Sequence, residues 1–407
     1  MKVLEKFFRS KTPTRDDFAK LVMKRLGQVG ARDVSYEPEH FTLKVGRTSG
    51  TVFLDNAYEI YCKAGRRERD ALLHRFCSSW GATHEVPGDF GSVRPFLMPV
   101  IRQTSFFSLI ELGLQSQNLD AAKLACPKMP VASSLVVCLA YDTEDTIQHV
   151  SQETFDKWGV TFEEAITEAT SNLREKTNPN GMTEEVPGLF RSRWADSYDA
   201  ARMLLTDLIA RLPVSGEPVA FIPNRDQLWV GGKRDIRTIK ALLMVGEQAH
   251  FVSYPISPDL FVLNERVWQV YVPEDANVLA SLQELRRHRR AVDYQQQKDA
   301  LETIYKASGT DVFVASYSVF PRNDGSRYST CVWSRGVDSL LPEAEFVILL
   351  LDKDKKDHVL LPWETVLSEL GGFMEEQPGI LPKRYRVRSF PKEELIARLR
   401  NADGLGL

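Results

Sequence analysis

The sequence predicts an α+β protein with mainly antiparallel sheets, built from hairpin–helix units whose helices pack on one face, in two or three domains. Three observations predict this class. Apolar runs of strand length recur in pairs joined by turns of about two to four residues, which can only reverse a strand. Amphipathic helical stretches alternate with these pairs. The chain has 407 residues, whereas a single hydrophobic core stops growing at about 250 to 300 residues.

The composition is that of a folded protein, with 43% hydrophobic residues, 26% charged residues and a formal net charge of −3. So small a charge does not predict a polyanion partner. The N-terminus lacks the apolar core of a signal peptide, and no apolar run is long enough to span a bilayer. We therefore expect a cytoplasmic protein without a membrane segment, a cofactor or a metal.

The cysteines are odd in number and scattered, and none forms a Cys-x-x-Cys pair with another. Such a pattern predicts neither a disulfide framework nor a zinc site. We expect them to be reduced and mostly buried: Cys62, Cys77, Cys126, Cys138 and Cys331.

Residues 1–90 are predicted to form a helix–hairpin–helix unit. Thr14 is placed to cap the first helix, and Asp16 and Asp17 fall in the first turn, where the helix dipole favours them. The expected elements are a helix over Arg15–Leu26, strands over Val34–Val45 and Thr51–Leu54, and a helix over Ala57–Trp80.

Residues 91–277 are predicted to form a central α+β domain. Pro99 in the run Phe96–Phe106 favours an edge strand or a strand start, because proline cannot donate to a sheet. The other elements are strands over Ser134–Tyr141, Thr146–Val150 and Leu189–Trp194, helices opened by Ser151 and by the capping box Thr161–Glu164, helices over Ser197–Leu212 and Arg234–Val245, and hairpins over Glu217–Gly232 and Leu260–Tyr271.

Residues 278–407 are predicted to form a C-terminal α+β domain with a linking helix. The polar stretch Asn277–Ser308 is interpreted as a connecting helix pair. Asn323-Asp-Gly-Ser326 is a strong hairpin-turn signal, because Asp-Gly favours left-handed backbone. Further elements follow: a hairpin over Glu345–Leu361, a helix over Trp363–Leu370, a strand over Tyr385–Arg388 and a helix over Lys392–Arg400.

Three segments resemble a known family: Pro99–Phe106, Asp196–Arg202 and Pro218–Leu228. They are similar to the corresponding segments of the bacterial family typified by the YtpQ protein, a domain of unknown function. The resemblance covers roughly residues 15–272 and leaves the last third of the chain uncovered. It implies a fold and no particular chemistry, since none of the three segments is a catalytic signature.

The hairpin turn Pro223–Asp226 carries the leading candidate ligand residue, Arg225. A guanidinium beside Asn224 and Asp226, close to Arg102 and Arg202, would suit a phosphate or a carboxylate. The alternative is that Pro223 and Asn224 are turn formers and that Arg225 and Asp226 form a local surface pair worth under about 1 kcal/mol. Arg202 has its own alternative, a contact with Asp199 or Tyr198.

The C-terminal region contains a possible metal-dependent site. Glu343 followed by Asp354 and Lys356 has the order of acid, then acid-x-Lys, of metal-dependent nucleases. The same residues around Lys353–Asp357 also suit a solvated hairpin turn. We keep Glu343, Asp354 and Lys356 as candidate catalytic residues beside that alternative.

Two further groups are interpreted as structural. The basic run Arg286–Arg290 would track phosphates only if its side chains shared one face, and successive helical residues do not. We expect it to pack on acidic residues, so nucleic acid is not an expected partner. Four tryptophans lie on strands or at a helix start and are expected in cores: Trp229, Trp268, Trp333 and Trp363.

No P-loop, nucleophile elbow, His-Glu-x-x-His or EF-hand pattern occurs in the sequence. The sequence therefore predicts a non-catalytic cytoplasmic binding or regulatory protein that acts through a protein partner. Two alternatives stay open: a metal-dependent phosphodiesterase or nuclease that uses the C-terminal domain, and a protein that binds a small anion at the central domain.

Overall fold

The computed structural model describes residues 13–38, 41–45, 50–81, 86–118, 125–132, 134–143, 147–248, 254–352 and 357–402. Within these ranges the helices alternate with strands that form five sheets, most of them antiparallel. The predicted α+β class is therefore confirmed. Among the described helices, none combines the length and the apolar character that a bilayer span requires.

The N-terminal region is a three-stranded antiparallel sheet with helices around it: α1 (Arg15–Gln28), β1 (Val34–Glu37), β2 (Thr42–Val45), β3 (Gly50–Phe53), α2 (Asp55–Lys63) and α3 (Arg66–Gly81). The predicted cap is confirmed, because the side chain of Thr14 accepts from the backbone N–H of Asp17. The single strand expected over Val34–Val45 is wrong, since the chain reverses at Phe41, where φ is 50°. The single helix expected over Ala57–Trp80 is also wrong, because extended backbone at Ala64 separates α2 from α3.

The first part of the central region is a four-stranded antiparallel sheet with helices: α4 (Phe90–Val93), β4 (Leu97–Gln103), α5 (Thr104–Ser116), β5 (Lys128–Ala132), β6 (Leu135–Asp142), β7 (Ile147–His149), α6 (Gln152–Asp156) and α7 (Phe162–Glu175). β6 lies in the middle, with β4 on one side and β5 and β7 on the other. The edge position predicted from Pro99 is confirmed. The capping box of Thr161 and Glu164 is present at the start of α7.

A six-stranded antiparallel sheet in the order β13-β12-β10-β11-β9-β8 forms the second part. Its elements are β8 (Met182–Val186), β9 (Leu189–Ser192), α8 (Thr206–Ala210), β10 (Pro218–Phe221), β11 (Trp229–Gly232), α9 (Ile236–Gln248), β12 (Leu260–Asn264) and β13 (Val267–Tyr271). The helix expected over Ser197–Leu212 is wrong. A 3-10 helix over Ala200–Leu204 ends at Leu205, whose ψ of 65° is not helical, and only α8 follows.

Both faces of the six-stranded sheet are covered. Val219 and Phe221 pack in a core with α9, whereas Ala220, between them, packs in a second core with the four-stranded sheet. Strands buried on two faces are expected to be apolar almost throughout. This explains why the hairpin strands β10 and β11 are continuous apolar runs.

The C-terminal region contains two four-stranded sheets, β14-β17-β21-β20 and β15-β16-β18-β19. Its elements are α10 (Ala276–Ser308), β14 (Phe313–Val314), β15 (Ser318–Pro321), β16 (Arg327–Ser334), β17 (Ser339–Pro342), β18 (Phe346–Leu350), β19 (His358–Pro362), α11 (Trp363–Leu370), β20 (Met374–Glu376), β21 (Arg384–Val387) and α12 (Glu393–Ala402). The two predicted hairpins are confirmed as β15–β16 and β18–β19. Two parallel pairs, β14–β17 and β16–β18, were not predicted.

The connecting helix pair is wrong, because α10 is one helix of 33 residues. Asp275 caps its start, and Gly309 ends it with a φ of 66°. Leu282 and Leu285 pack with α9, whereas Leu301 packs against α5 and the C-terminal strands. α10 thus packs on both the central and the C-terminal cores. The domain boundaries near residues 90 and 277 stay predictions.

The basic run on α10 packs on acidic residues, as expected. Arg286 donates to Asp259 at 2.6 Å, and Arg287 donates to Glu345 at 2.8 Å. Arg289 lies 2.8 Å from the carboxylate of Asp293. Arg286 and Arg287 thus fix α10 to its neighbours, whereas Arg289 pairs within the helix.

The four tryptophans named above are at most 9% exposed, so their expected core positions are confirmed. The five cysteines are free thiols, and Cys62 alone among them is only half-buried. The expectation of reduced, mostly buried cysteines therefore agrees with the structure.

Candidate functional site

The three segments quoted for the family resemblance meet at one place in the fold. β4 brings Arg102, the stretch before the 3-10 helix brings Ser197, and the β10–β11 loop brings Arg225. The backbone N–H of Ala200 donates to the carbonyl of Arg225 at 3.1 Å, which fixes the second segment to the third. We call their junction the arginine cleft, a cavity lined by Val100, Ile101, Arg102, Ser197, Ala200, Ala201, Arg225 and Ile256.

Arg102 is oriented without a carboxylate. Its guanidinium donates to the carbonyl of Ile101 at 2.8 Å, and its other terminal nitrogen lies 3.3 Å from Nε2 of His149. The group lies 5.4 Å from the ring centroid of Phe106. Among the described residues, no acidic side chain forms an ion pair with Arg102. Its positive charge is therefore not cancelled by the protein around it.

The hydrogen-bond chain behind Arg102 fixes the tautomer of His149. A guanidinium has no acceptor, so Nε2 of His149 must accept, and the neutral imidazole carries its proton on Nδ1. That nitrogen lies 3.5 Å from Sγ of Cys138, and the Cys138 thiol donates to the carbonyl of Val100 at 3.6 Å. Burial and the charge of Arg102 lower the pKa of His149 to about 3. The imidazole thus orients Arg102 as a neutral group over the physiological pH range.

Two cationic side chains share the arginine cleft. Burial lowers the pKa of Arg102, and the positive charge of Arg225 lowers it further, which places the two guanidinium groups within electrostatic reach of each other. Like charges repel each other more where the effective dielectric constant is below that of water. An anion bound in the cleft would offset this repulsion.

Arg225 is held mainly by an aromatic ring. Its guanidinium lies 3.6 Å from the ring centroid of Tyr254, a stacking geometry worth about 1 kcal/mol at a partly exposed position. Nε donates to the neighbouring Asp226 at 3.3 Å, and the Asp226 side chain is 45% exposed. The local surface pair of Arg225 and Asp226 is therefore present, but its hydrogen bond is long and exposed and contributes little to stability.

Asn224 forms the turn, as expected, but it does so as a buried residue. Its side chain is fully buried, because the Tyr254–Ser257 segment covers the loop: Arg225 N–H donates to the carbonyl of Tyr254, and Ile256 N–H to that of Pro223. Oδ1 of Asn224 accepts from the backbone N–H of Asp226 at 2.9 Å. Asn224 therefore shapes the loop that presents Arg225.

Arg202 does not line the arginine cleft. It is fully buried, donates twice to Asp196 at 2.8 and 2.6 Å, and donates to Oγ1 of Thr177 at 2.9 Å. Its guanidinium lies 4.3 Å from the ring centroid of Trp194. Asp196 replaces the expected partners Asp199 and Tyr198. Arg202 is thus a structural clamp, and it is saturated by the protein.

The pKa of Asp196 reflects this clamp. Burial raises the pKa of the carboxyl group, but the hydrogen bonds and charge of Arg202 outweigh burial and hold the pKa below its ordinary value. Asp196 is therefore ionised at neutral pH and compensates the buried charge of Arg202. The pair stabilises the segment that carries Ser197.

Polar atoms without partners lie in two of the same three segments. Two buried side-chain atoms of these segments, Oε1 of Gln103 and Nδ2 of Asn224, lack a hydrogen-bond partner among the described residues. The hydroxyl of Tyr198 interacts with Asp142, and the carboxyl group of Asp199 interacts with Ser192. Buried polar groups are nearly always hydrogen-bonded, so Gln103 and Asn224 are available to a ligand.

Strained backbone borders the arginine cleft as well. Ala195, Ser197 and Tyr254 have φ values of 54°, 71° and 57°, in the left-handed region that non-glycine residues rarely adopt. Left-handed backbone outside glycine clusters at binding and catalytic sites, where the fold compensates its cost. Ser197 itself lines the cleft, and Ala195 directly precedes the segment Asp196–Arg202 that contributes Ser197 and Ala200.

The C-terminal candidates are not assembled into a site by the described residues. Glu343 follows β17, and its backbone N–H donates to Oη of Tyr294 at 3.0 Å. Asp354 and Lys356 lie outside the described residues. Within the ranges that the structure describes, no group of three or more histidine, cysteine, aspartate or glutamate side chains is arranged to hold a metal ion.

Sequence reasoning missed His149, Cys138 and Tyr254. His149 on β7 comes close to Arg102 on β4 because both strands pair with β6. No local sequence signal specifies these two pairings. Tyr254 is brought to Arg225 by the bridge between Asn224 and Pro255. These contacts depend on strand register and not on local sequence.

Comparison with known proteins gives no match: no family model, curated protein or solved structure is similar to the chain. The resemblance to the YtpQ family therefore stays a prediction.

Proposed function

We propose that the chain is a non-catalytic binding protein whose central region binds a small anion between Arg102 and Arg225. One observation carries the proposal: Arg102 and Arg225 both line one cavity, and neither has a buried carboxylate partner among the described residues. A bound anion would replace the missing counter-charge and accept charge-assisted hydrogen bonds, which are about twice as strong as neutral ones.

The dimensions of the arginine cleft favour a small, singly charged ligand. Its free volume is about 10 Å³, which is close to the space that one water-sized particle needs. The remaining lining is largely apolar: Val100, Ile101, Ala200, Ala201 and Ile256. Anions larger than a water molecule, which include chloride and a carboxylate, require Arg225 to move away from the ring of Tyr254. The Arg225 side chain is 25% exposed and has room on its solvent side.

Anion titration by calorimetry in chloride-free buffer tests the proposal. Chloride, bromide, nitrate, acetate and phosphate are compared at constant ionic strength, since surface electrostatics alone respond to total salt. The wild type is expected to bind at least one monovalent anion, and Arg102→Gln and Arg225→Gln are each expected to weaken that binding at least tenfold. Arg211→Gln is the matched control, because the Arg211 side chain is 80% exposed and does not line the arginine cleft.

Equal heats for the wild type and both cleft variants would contradict the proposal. An anion that binds also stabilises the folded state, by about 2.7 kcal/mol at a concentration of one hundred times Kd. Thermal unfolding in the same buffers therefore gives a second readout. A stabilisation that the Arg102→Gln variant retains in full would assign the anion to another site.

A further inference from the structure

β18 is apolar on both of its faces. Its sequence is Phe346-Val-Ile-Leu-Leu350, a pattern typical of a strand that is covered on two sides. Val347 and Leu349 are fully buried in the C-terminal core. Phe346, Ile348 and Leu350 point the other way and are only half-buried. One side of this strand is therefore covered far less than its sequence predicts.

The neighbouring strands extend this apolar side across the sheet. Val332 of β16 lies directly beside Ile348, and Leu360 of β19 lies on the opposite side of Ile348. At the β15 edge, Phe320 lies opposite Tyr328. We call this surface the outer face; it consists of Phe320, Tyr328, Val332, Phe346, Ile348, Leu350 and Leu360.

The outer face is separate from the hydrophobic cores of the described residues. None of its residues belongs to, or packs against, the hydrophobic clusters formed by the described residues. α11 and α12 cover the opposite side of the sheet, where Val366 and Ile396 contact the core. β15 ends at Pro321, which protects that edge from strand addition. A partner would therefore lie across the face and not beside it.

One cation marks an end of the outer face. The guanidinium of Arg322 lies 5.1 Å from the ring centroid of Tyr328 and 5.6 Å from that of Phe346. Among the described residues, no carboxylate forms an ion pair with it. Tyrosine, phenylalanine and arginine are the residues enriched in the centres of protein interfaces. The charge favours a partner that brings a carboxylate.

The size of the outer face selects among partners. Strands about 4.8 Å apart and residues about 3.3 Å apart along each strand give a patch of about 14 by 16 Å, or about 220 Å². A stable interface buries about 800 Å² on each partner, so the outer face suits weak, transient binding of one short element and not the broad contact of a stable dimer. An α-helix is about 10 Å wide, and three turns are about 16 Å long.

We propose that the outer face binds an amphipathic helix of a partner protein, about three turns long, whose apolar stripe covers Ile348 and its neighbours. A carboxylate near one end of that helix pairs with Arg322. This mode of recognition places an apolar helical face in an apolar surface and uses spacings of three and four residues as anchors. The proposal is independent of the anion site, which lies in the central region.

Site-specific photo-cross-linking tests this proposal. The photoreactive residue benzoylphenylalanine replaces Ile348 in the full chain, expressed in the cells that make it naturally, and the cross-linked segment is identified by mass spectrometry. The same residue at Leu367 is the matched control, because Leu367 is 42% exposed on α11 and outside the outer face. The expected product is one segment of another protein, with helical apolar spacing and at least one Asp or Glu.

A synthetic peptide of that segment then measures affinity for the purified chain. Arg322→Glu is expected to weaken binding at least tenfold and Arg322→Gln less, whereas Arg335→Glu, a charge reversal at an exposed arginine of the same region, changes it less than twofold. Unchanged thermal unfolding of the Arg322 variants shows that they fold. Cross-links to a second copy, to the chain itself, to a segment without an acid, or only to the products seen at Leu367 would overturn the proposal. So would the absence of a product or equal affinities of the Arg322 and Arg335 variants.

Discussion

Replacing Arg202 with methionine separates its structural role from ligand binding. The substitution keeps much of the volume of the fully buried side chain but removes its three close hydrogen bonds to Asp196 and Thr177. Breaking a buried ion pair by removing one partner costs about 3 to 5 kcal/mol. The Asp196 side chain is 32% exposed and stays partly hydrated. We therefore expect the free energy of unfolding to fall by about 3 kcal/mol, the lower end of that range.

Urea unfolding of the full chain measures this loss. Arg193→Met is the matched control, since Arg193 pairs with Glu185 at an exposed site where its side chain is 47% accessible. Such a surface pair contributes at most about 1 kcal/mol. Anion affinity of the Arg202→Met variant should stay within about threefold of the wild type at temperatures where the variant is folded, a difference under about 0.7 kcal/mol.

Two results would refute this reasoning. A loss of stability below about 1 kcal/mol would mean that Arg202 is no more than a surface-type pair. A tenfold loss of anion affinity in a folded variant, about 1.4 kcal/mol, would mean that Arg202 acts on the ligand.

Three further predictions concern pH, charge and backbone space. The folded-state pKa of Asp196 lies below its ordinary value, so the stability that the Arg202–Asp196 pair adds is present above about pH 4, the unfolded-state pKa of aspartate, and is lost as the pH falls through the lower folded pKa. The difference in unfolding free energy between wild type and Arg202→Met should therefore shrink in acid. A constant difference down to about pH 2 would contradict this prediction. His149→Gln, which keeps a neutral acceptor, should leave anion affinity within about threefold of the wild type. His149→Glu should lower the affinity more than tenfold, because the carboxylate would pair with Arg102, and two opposite charges about 4 Å apart attract by about 4 kcal/mol near a surface. Equal calorimetric affinities of the two variants would refute the role of a neutral imidazole. Gly232→Ala would bring a Cβ to 2.4 Å from a backbone atom of Ser215 and should lower the free energy of urea unfolding by over about 2 kcal/mol. Gly113→Ala, whose Cβ would meet nothing within 4 Å inside α5, should be neutral or stabilise by up to about 1 kcal/mol. Similar losses of stability in the two variants would contradict this prediction.

Local sequence signals predicted much of the fold. The hairpin β15–β16 follows from the Asp-Gly turn, and α7 follows from its capping box, because both signals act over a few residues. α10 shows the limit of such signals. Its polar sequence contains no glycine or proline before Gly309, so backbone preference allows one continuous helix, and packing on two cores stabilises its full length.

The candidate site was predicted in part. Arg102 and Arg225 were named from the sequence, and the structure brings them to one cavity. Arg202 was grouped with them because its residue type is the same, although Asp196, six positions earlier, saturates it. His149 could not be predicted, since its contact depends on the pairing of three strands.

The coupling free energy between Arg102 and Arg225 tests the central claim most directly. Anion affinities of the wild type, Arg102→Gln, Arg225→Gln and the double variant form a double-mutant cycle. If both side chains bind one anion, the two losses are not additive, and the coupling should lie between about 0.5 and 3 kcal/mol. Losses that add within about 0.3 kcal/mol, or no loss in either single variant, would contradict the claim that the two arginines form one anion site.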